Sequence, residues 1–369
     1  MSQRHRRDLS AADGPEYSAQ SPPLPIGPAH DAHFAVTVGV NLYPGLTDLH
    51  GPRHDEAAFL DWLVSLDGGA VPLENVRQVP APRDHDRRLA IHQARPNVAD
   101  VVDALRHVND AVGRLVTADP SAWERSRLYI YLAGHGMVPD GSDAGAMFTA
   151  NASLGELGHN INVFACKYFY QRAGLFRDIV IFSDCCRTLK PGAPSFGLPF
   201  SHADSTRRVR TVLAYSTQFG ASARERRTPQ GMRGVFTSAL VQSLRCIDSN
   251  GMRWGDLRGL VSGNMSDPEL GADGQQADLS GDDDMEFGPP AGRPAKTAEC
   301  YAVQVHFADP GAEPVDLLDG RLMVIGSWAA RDGVWDLKLP NGLYQLVRHG
   351  ADDALKDITV RGGNVVVHL

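Results

Sequence analysis

Two short stretches of the 369-residue chain hold residues able to do nucleophilic chemistry. In YLAGHG, His135 stands between Gly134 and Gly136, directly after an apolar run. In FSDCCR, Cys185 and Cys186 close a second apolar run. A thiol attacks as its thiolate, and a base within hydrogen-bond reach generates that thiolate at neutral pH. Imidazole titrates in the right range to be that base. Neither residue says much alone, since a lone Cys is usually small core filling and a lone His after a strand is usually a loop residue. Paired at two strand ends, they form a candidate nucleophile and base drawn from distant positions. Neighbouring side chains on an extended strand face opposite ways, so only one of the two cysteines can face such a site.

The elements that must position this pair are legible as alternating strands and helices. FAVTVGV (34–40), RLYIYLA (127–133), DIVIFSD (178–184) and TVLAYS (211–216) are apolar runs of the kind buried in parallel sheets, and NVRQV (75–79) is a shorter one. Between them, Phe59, Leu60, Leu63 and Leu66 recur at helical spacing, as do Val98, Val101, Val102, Leu105, Val108 and Val112. Residues 163–174, 234–244 and 254–265 are further helix candidates. Such alternation predicts a three-layer α/β domain on a mostly parallel sheet. The Gly, Asp and Pro-rich stretch 271–299 reads as a linker, GDDDME (281–286) included, since it lacks the EF-hand spacing. Short alternating strands beyond it predict a small antiparallel β domain. The expected division is a disordered tail over 1–30, an α/β domain over 31–290, a linker over 291–299 and the β domain over 300–369.

Composition narrows the function. Apolar residues are 43% and charged residues 22%, ordinary for a globular protein. Five cysteines at irregular spacing support neither a disulfide framework nor a zinc ribbon, and suit a reducing cytoplasm. No metal or other cofactor is expected. A formal charge of −8 argues against nucleic-acid binding, and no window approaches the roughly 18 apolar residues of a membrane span.

The paired motifs resemble those of the caspase and metacaspase superfamily, where one strand ends in HG and the next long strand ends in D-x-C or Q-x-C. Caspases place the His roughly 50 residues before the Cys, and here the separation is 186 − 135 = 51. VGVNLYPGLTDLHGPRHDEAAFLDWL is similar to the family's first strand, loop and first helix, LAYSTQFGASARE to its substrate-binding strand, and GVFTSALVQSL to the helix after it. The likeness covers about residues 33–290. It implies a caspase-like three-layer sandwich carrying a cysteine endopeptidase. The C-terminal part resembles transthyretin-like or immunoglobulin-like β-sandwich modules.

The resemblance also implies roles. Asp184, two before Cys186, selects Cys186 as nucleophile and leaves Cys185 as its buried neighbour. His135 is the base, and the backbone N–H groups of Gly136 and Cys186 form the oxyanion hole. The animal pentapeptide is QACRG-like, and SDCCR departs from it. Metacaspases line their specificity pocket with acidic residues, matched here by Asp184 and Asp55. Two carboxylates in a desolvated pocket favour a cation, and Arg can bind both in a forked geometry. The expected substrate is therefore a protein or peptide with a basic residue, Arg over Lys, before the scissile bond. Asp55 could instead serve a helix start, and Asp184 a structural hydrogen bond. Ser216 and Thr217 fall where family members pair with the substrate backbone, and Glu225 is a further acidic contact. Arg207, Arg208 and Arg210 are possible processing sites or a solvated charge run, and an upstream activator would fit. The setting implied is bacterial stress or antiviral defence. The alternative is a silent caspase-like adaptor acting through its β domain. An α/β hydrolase is disfavoured because no nucleophile-elbow motif occurs.

Overall fold

The computed structural model describes residues 30–79, 89–139, 144–228, 231–248, 250–266 and 274–289, and then 301–307, 314–319, 324–328, 333–339, 342–349, 354–360 and 364–369. The expected linker 291–299, and all of the expected tail except His30, lie outside these residues.

In chain order the N-terminal part forms β1 (His33–Gly39), α1 (Pro52–Val64), β2 (Val76–Val79), α2 (Val98–Ala118), β3 (Arg127–Gly134), β4 (Gly136–Pro139), β5 (Ala146–Phe148), β6 (Asn160–Asn162) and α3 (Val163–Ala173). It continues with β7 (Asp178–Cys185), β8 (Leu189–Lys190), β9 (Arg210–Tyr215), β10 (Glu225–Thr228), β11 (Gly231–Gly234), α4 (Val235–Arg245), β12 (Met252–Arg253), α5 (Trp254–Ser266), β13 (Asp278–Gly281) and β14 (Glu286–Phe287).

Six strands make the central sheet in the order β13-β9-β7-β3-β1-β2, all parallel except the edge strand β13. A parallel sheet must be covered on both faces, and its strands show how. In β3, Leu128, Ile130 and Leu132 join one core with Leu105 and Val108 of α2 and Tyr170 of α3. Tyr129, Tyr131 and Ala133 join a second core with Phe59 of α1, Phe236 of α4 and Trp254 of α5. This is the three-layer sandwich expected. The start of α2 is fixed locally: Asp100 N–H donates to Asn97 Oδ1 at 3.1 Å and Asn97 N–H to Asp100 Oδ2 at 2.7 Å, a reciprocal cap. From β1 the chain goes outward to β2, then returns to build β3, β7 and β9 on the other side. Where the order reverses, the carboxyl ends of neighbouring strands leave a crevice between diverging connections, the usual ligand position in open α/β sheets.

Within the stretch 271–299, the described residues 274–289 depart from a linker. Residues 278–281 pair with β9, and β14 pairs with β12. Met285 and Phe287 are buried, the latter against Trp254. Its glycines mark close approach: at Gly281, with φ of 148°, a Cβ would lie 2.6 Å from Thr211 O.

The C-terminal part has β15 (Tyr301–His306), β16 (Val315–Asp319), β17 (Val324–Trp328), β18 (Val334–Leu339), β19 (Gly342–Arg348), β20 (Ala354–Val360) and β21 (Val365–His368). They form two sheets, β18-β15-β21 and β17-β16-β19-β20, around a shared core that includes Val303, Leu317, Leu346 and Ile358. One pairing departs from the antiparallel expectation. After β20 in one sheet the chain crosses to the other, so β21 runs parallel to β15.

Candidate active site

Strands β3 and β7 are direct neighbours, with Ala133 opposite Asp184 and Gly134 opposite Cys185. The next residues are His135 and Cys186. Parallel strands lie about 4.8 Å apart, so the two residues leave the carboxyl edge of the sheet side by side. Pleating separates the cysteines. Cys185 is 3% exposed and its thiol points back toward Leu132 O at 3.9 Å, whereas Cys186 is half-buried at the sheet edge.

The loop after β1 cradles His135. The imidazole Nε2 lies 2.7 Å from Thr47 O, and the ring packs on Tyr43 at 4.8 Å between centroids. A carbonyl can only accept, so this bond places the proton on Nε2 and leaves Nδ1 free to take one from a thiol. Thr47 thus supplies an orienting partner that sequence reasoning missed, because a backbone carbonyl has no residue signature. Gly136 is required by packing: a Cβ there would lie 2.6 Å from both Cys185 Cβ and Cys186 O.

Cys186 Sγ lies 3.8 Å from Ala223 O, and among the described residues it makes no hydrogen bond to His135. Burial pushes the thiol above its ordinary value; a backbone hydrogen bond with Ala223 opposes this, and the nearby Asp184 adds to it. Contacts of this kind commonly tighten only when substrate is bound.

Beside Cys186 lies an acidic cluster at the start of α4. Asp55 is 2% exposed and its Oδ2 accepts from Gly234 N–H at 2.7 Å. Asp184 is 8% exposed, and its Oδ2 accepts from Thr237 N–H at 3.2 Å and Thr237 Oγ1–H at 2.7 Å. Both carboxylates therefore use the free N–H groups at a helix start, each across the fold rather than on its own element. A Cβ on Gly234 would strike both Oδ2 atoms. Glu225 joins from a third direction: its Oε1 accepts from Gly51 N–H at 2.7 Å, and a Cβ on Gly51 would lie 2.8 Å from that oxygen and 3.1 Å from Asp55 Oδ2. Asp55 Oδ1 is buried and has no hydrogen-bond partner among the described residues. Burial, then Asp184, pushes the Asp55 carboxyl up to about 8, and burial chiefly raises Asp184 as well.

Ser216 and Thr217 are fully buried. Ser216 N–H donates to Ser183 O, its carbonyl accepts from Gln275 Nε2, and the Thr217 carbonyl accepts from Arg187 Nη1. These carbonyls are already paired within the chain; Ser222–Arg224 passes beside Cys186 outside any strand, and there the Arg224 N–H and carbonyl are likewise taken, by Gln275 Oε1 and Val235 N–H. Two residues that sequence reasoning passed over hold that segment. Arg187 is 4% exposed; its N–H donates to Ala221 O, and its Nη1 reaches Asp278 Oδ2 at 2.6 Å. Gln275 Oε1 accepts from Arg224 N–H at 3.0 Å. The arginine was visible, since it follows the cysteine in both QACRG and SDCCR. Arg207 and Arg208 are exposed in an irregular segment, but Arg210 is not: it lies in β9 and grips Asp178 through two bonds of 2.8 Å. Among the described residues no cluster of His, Cys, Asp and Glu could hold a metal, and no helix is long and apolar enough to cross a membrane.

No family model matches the chain. It is 25% identical over 221 residues to a protein of a Desulfuromonadales bacterium named as a probable protease, covering 58% of this chain. The chain spans 26% of that relative's length. Among solved structures it is similar to caspase-1 from Spodoptera frugiperda, with a TM-score of 0.41 and 13% identity over 71% of this chain and 94% of that one. A Geobacter sulfurreducens protein gives a TM-score of 0.40 and 12% identity, over 68% of this chain and 92% of that one.

Proposed function

We propose that the chain is a caspase-like cysteine endopeptidase that cuts peptide bonds after basic residues, Arg over Lys, using Cys186 as nucleophile and His135 as base. The register of β3 against β7, which sets His135 and Cys186 side by side at one sheet edge, carries this reading. In the first step His135 Nδ1 takes the Cys186 proton while Sγ attacks the scissile carbonyl carbon. The oxyanion is held by the Gly136 and Cys186 N–H groups, each such donor contributing about 3 kcal/mol. The imidazolium then gives its proton to the departing amine. Water, deprotonated by His135, cleaves the thioester and restores the thiol. The Thr47 carbonyl keeps the imidazole in the tautomer this needs.

The basic preference is supported by Asp55, whose buried Oδ1 lacks a partner among the described residues beside the raised Asp184 carboxyl. A guanidinium could satisfy both, where the carboxylate of an Asp substrate would meet repulsion. The bacterial stress or antiviral setting belongs to the proposal through the resemblance alone.

The test is hydrolysis of fluorogenic peptides bearing Arg, Lys or Asp before the leaving group, by the full chain and by its Cys186→Ala, Cys185→Ala and His135→Ala variants. We expect cleavage after Arg, then Lys, that is lost in Cys186→Ala and His135→Ala and kept in Cys185→Ala. Activity persisting in Cys186→Ala removes the nucleophile assignment. A preference for Asp removes the acidic-pocket reading and leaves the dyad standing.

A further inference from the structure

Strands β4 and β5 are antiparallel, with Gly136 opposite Met147 and Met137 opposite Ala146. The next pair along this ladder is His135 with Phe148. In a hydrogen-bonded antiparallel pair the two residues exchange both N–H···O bonds. Here one forms directly, from Phe148 N–H to His135 O at 2.8 Å. The other runs through a side chain: His135 N–H donates to Tyr43 Oη at 3.0 Å, and Tyr43 O–H donates to Phe148 O at 3.2 Å. A phenol oxygen therefore stands where the ladder would close, and it does so at the residue that carries the base.

We propose that Tyr43 is a positioning residue for His135, its hydroxyl wedged into the β4–β5 ladder so that the imidazole stands off at the distance Cys186 requires. This rests on the Cys–His reading above. Three observations separate the wedge from a core tyrosine whose hydroxyl merely found a partner. The ring is fully buried and packs on the imidazole itself. The space is reserved for the oxygen, because a Cβ on Gly134 would collide with Tyr43 Oη. The segment bearing the ring is also pinned, since Tyr43 N–H donates to Asp48 Oδ1 at 2.9 Å and Tyr43 O accepts from Leu46 N–H at 3.0 Å. The same loop presents the Thr47 carbonyl to Nε2, so it grips His135 at its main chain and at its ring. Without the phenol oxygen, His135 N–H and Phe148 O can bond directly. The main chain of the base then shifts to close that bond, and a misplacement of about 1 Å can cost about a hundredfold in rate.

The experiment compares the full chain with its Tyr43→Phe variant, which keeps the ring and removes the wedge. Steady-state kcat and KM on an Arg peptide, the thermal midpoint, and the pH profile of iodoacetamide alkylation at Cys186 are measured together. We expect kcat to fall about ten- to a hundredfold, KM to stay within about twofold because the acidic cluster is untouched, and His135-dependent alkylation to slow. Unchanged kcat and alkylation, with only a lowered midpoint, overturn the proposal and leave Tyr43 a core residue. If Tyr43→Phe does not fold, Gly134→Ala displaces the hydroxyl from the opposite side, with the same kcat loss expected and unchanged kcat overturning the wedge. His135→Ala on the same plate isolates the underlying reading. If it alters neither turnover nor alkylation, the dyad itself is wrong, a result obtained without reference to Tyr43.

Discussion

Binding of an Arg side chain is expected to tighten with pH over a range in which ordinary carboxylates no longer titrate. Asp55 is pushed to about 8, by burial first and by Asp184 second, against the Gly234 N–H and Arg233, with Glu225 adding to the rise. A carboxyl at that value is about one-tenth ionised at pH 7 and about nine-tenths at pH 9. A guanidinium binds the ionised form, so the association constant rises about tenfold between those values, and below pH 8 close to one proton leaves per peptide bound. The measurement is titration calorimetry of an uncleaved Arg peptide with the Cys186→Ala chain, which removes the thiol from the titration. Two buffers of different ionisation enthalpy count the proton. Asp55→Asn in the same background is expected to bind weakly and without this slope. A flat affinity from pH 7 to pH 9, or an equal slope in Asp55→Asn, would refute the reasoning.

Glu56, on the buried face of α1 and accepting from Thr37 Oγ1 at 2.8 Å, is raised by burial from 4.5 to about 7. Because it and Asp55 keep protons that an unfolded chain releases above about pH 4, the folded state binds more protons from there to about pH 8, and stability falls as pH rises across that window. Denaturant unfolding of Glu56→Gln should accordingly show a gain over the parent that is larger at pH 8 than at pH 5. Asp178 lies buried between Arg127 and Arg210, at the opposite end of β7 from Cys186. Asp178→Ala strands the buried Arg127 and leaves Arg210 only its longer contact with Asp284, and is expected to cost about 3–5 kcal/mol of stability in urea melts, with the KM of any surviving activity unchanged. Brief trypsin treatment followed by intact-mass analysis is expected to cut after Arg207 or Arg208 before Arg210, whose guanidinium is held by Asp178.

The sheet was legible because its strands are continuous apolar runs and its helices keep their period. Both signals arise from burial, which a sequence displays directly. His135 and Cys186 were legible for a related reason, since polar residues that end apolar strands must emerge at the sheet edge. Ser216 and Thr217, expected to pair with substrate, have carbonyls already taken within the chain, because a strand's sequence does not say where its paired hydrogen bonds stop. That depended on Gln275 and Arg187, which arrive from distant segments to take the Ser216 and Thr217 carbonyls. Residues 278–281 were hidden for a different reason. An antiparallel edge strand has few side chains to bury, so Gly and Asp suffice there, and composition alone reads as a linker. The Thr47 carbonyl and the Tyr43 relay had no signal in residue type.

On the proposed reading, specificity and nucleophile are electrically joined. Asp184 sits two residues before Cys186 and raises its thiol. The carboxylate that would select a cation therefore disfavours the thiolate on which attack depends. In the free chain this opposition is softened, because burial raises both Asp184 and Asp55 and so favours their neutral forms. A substrate Arg that ionises one carboxyl of the pair brings a compensating positive charge with it, leaving the field at Sγ near neutral. A neutral side chain of similar size would gain nothing from ionised carboxylates and would leave the thiolate opposed wherever they are charged. Selection for a cation then acts on the chemical step as well as on binding, since only interactions stronger in the transition state than in the ground state raise turnover.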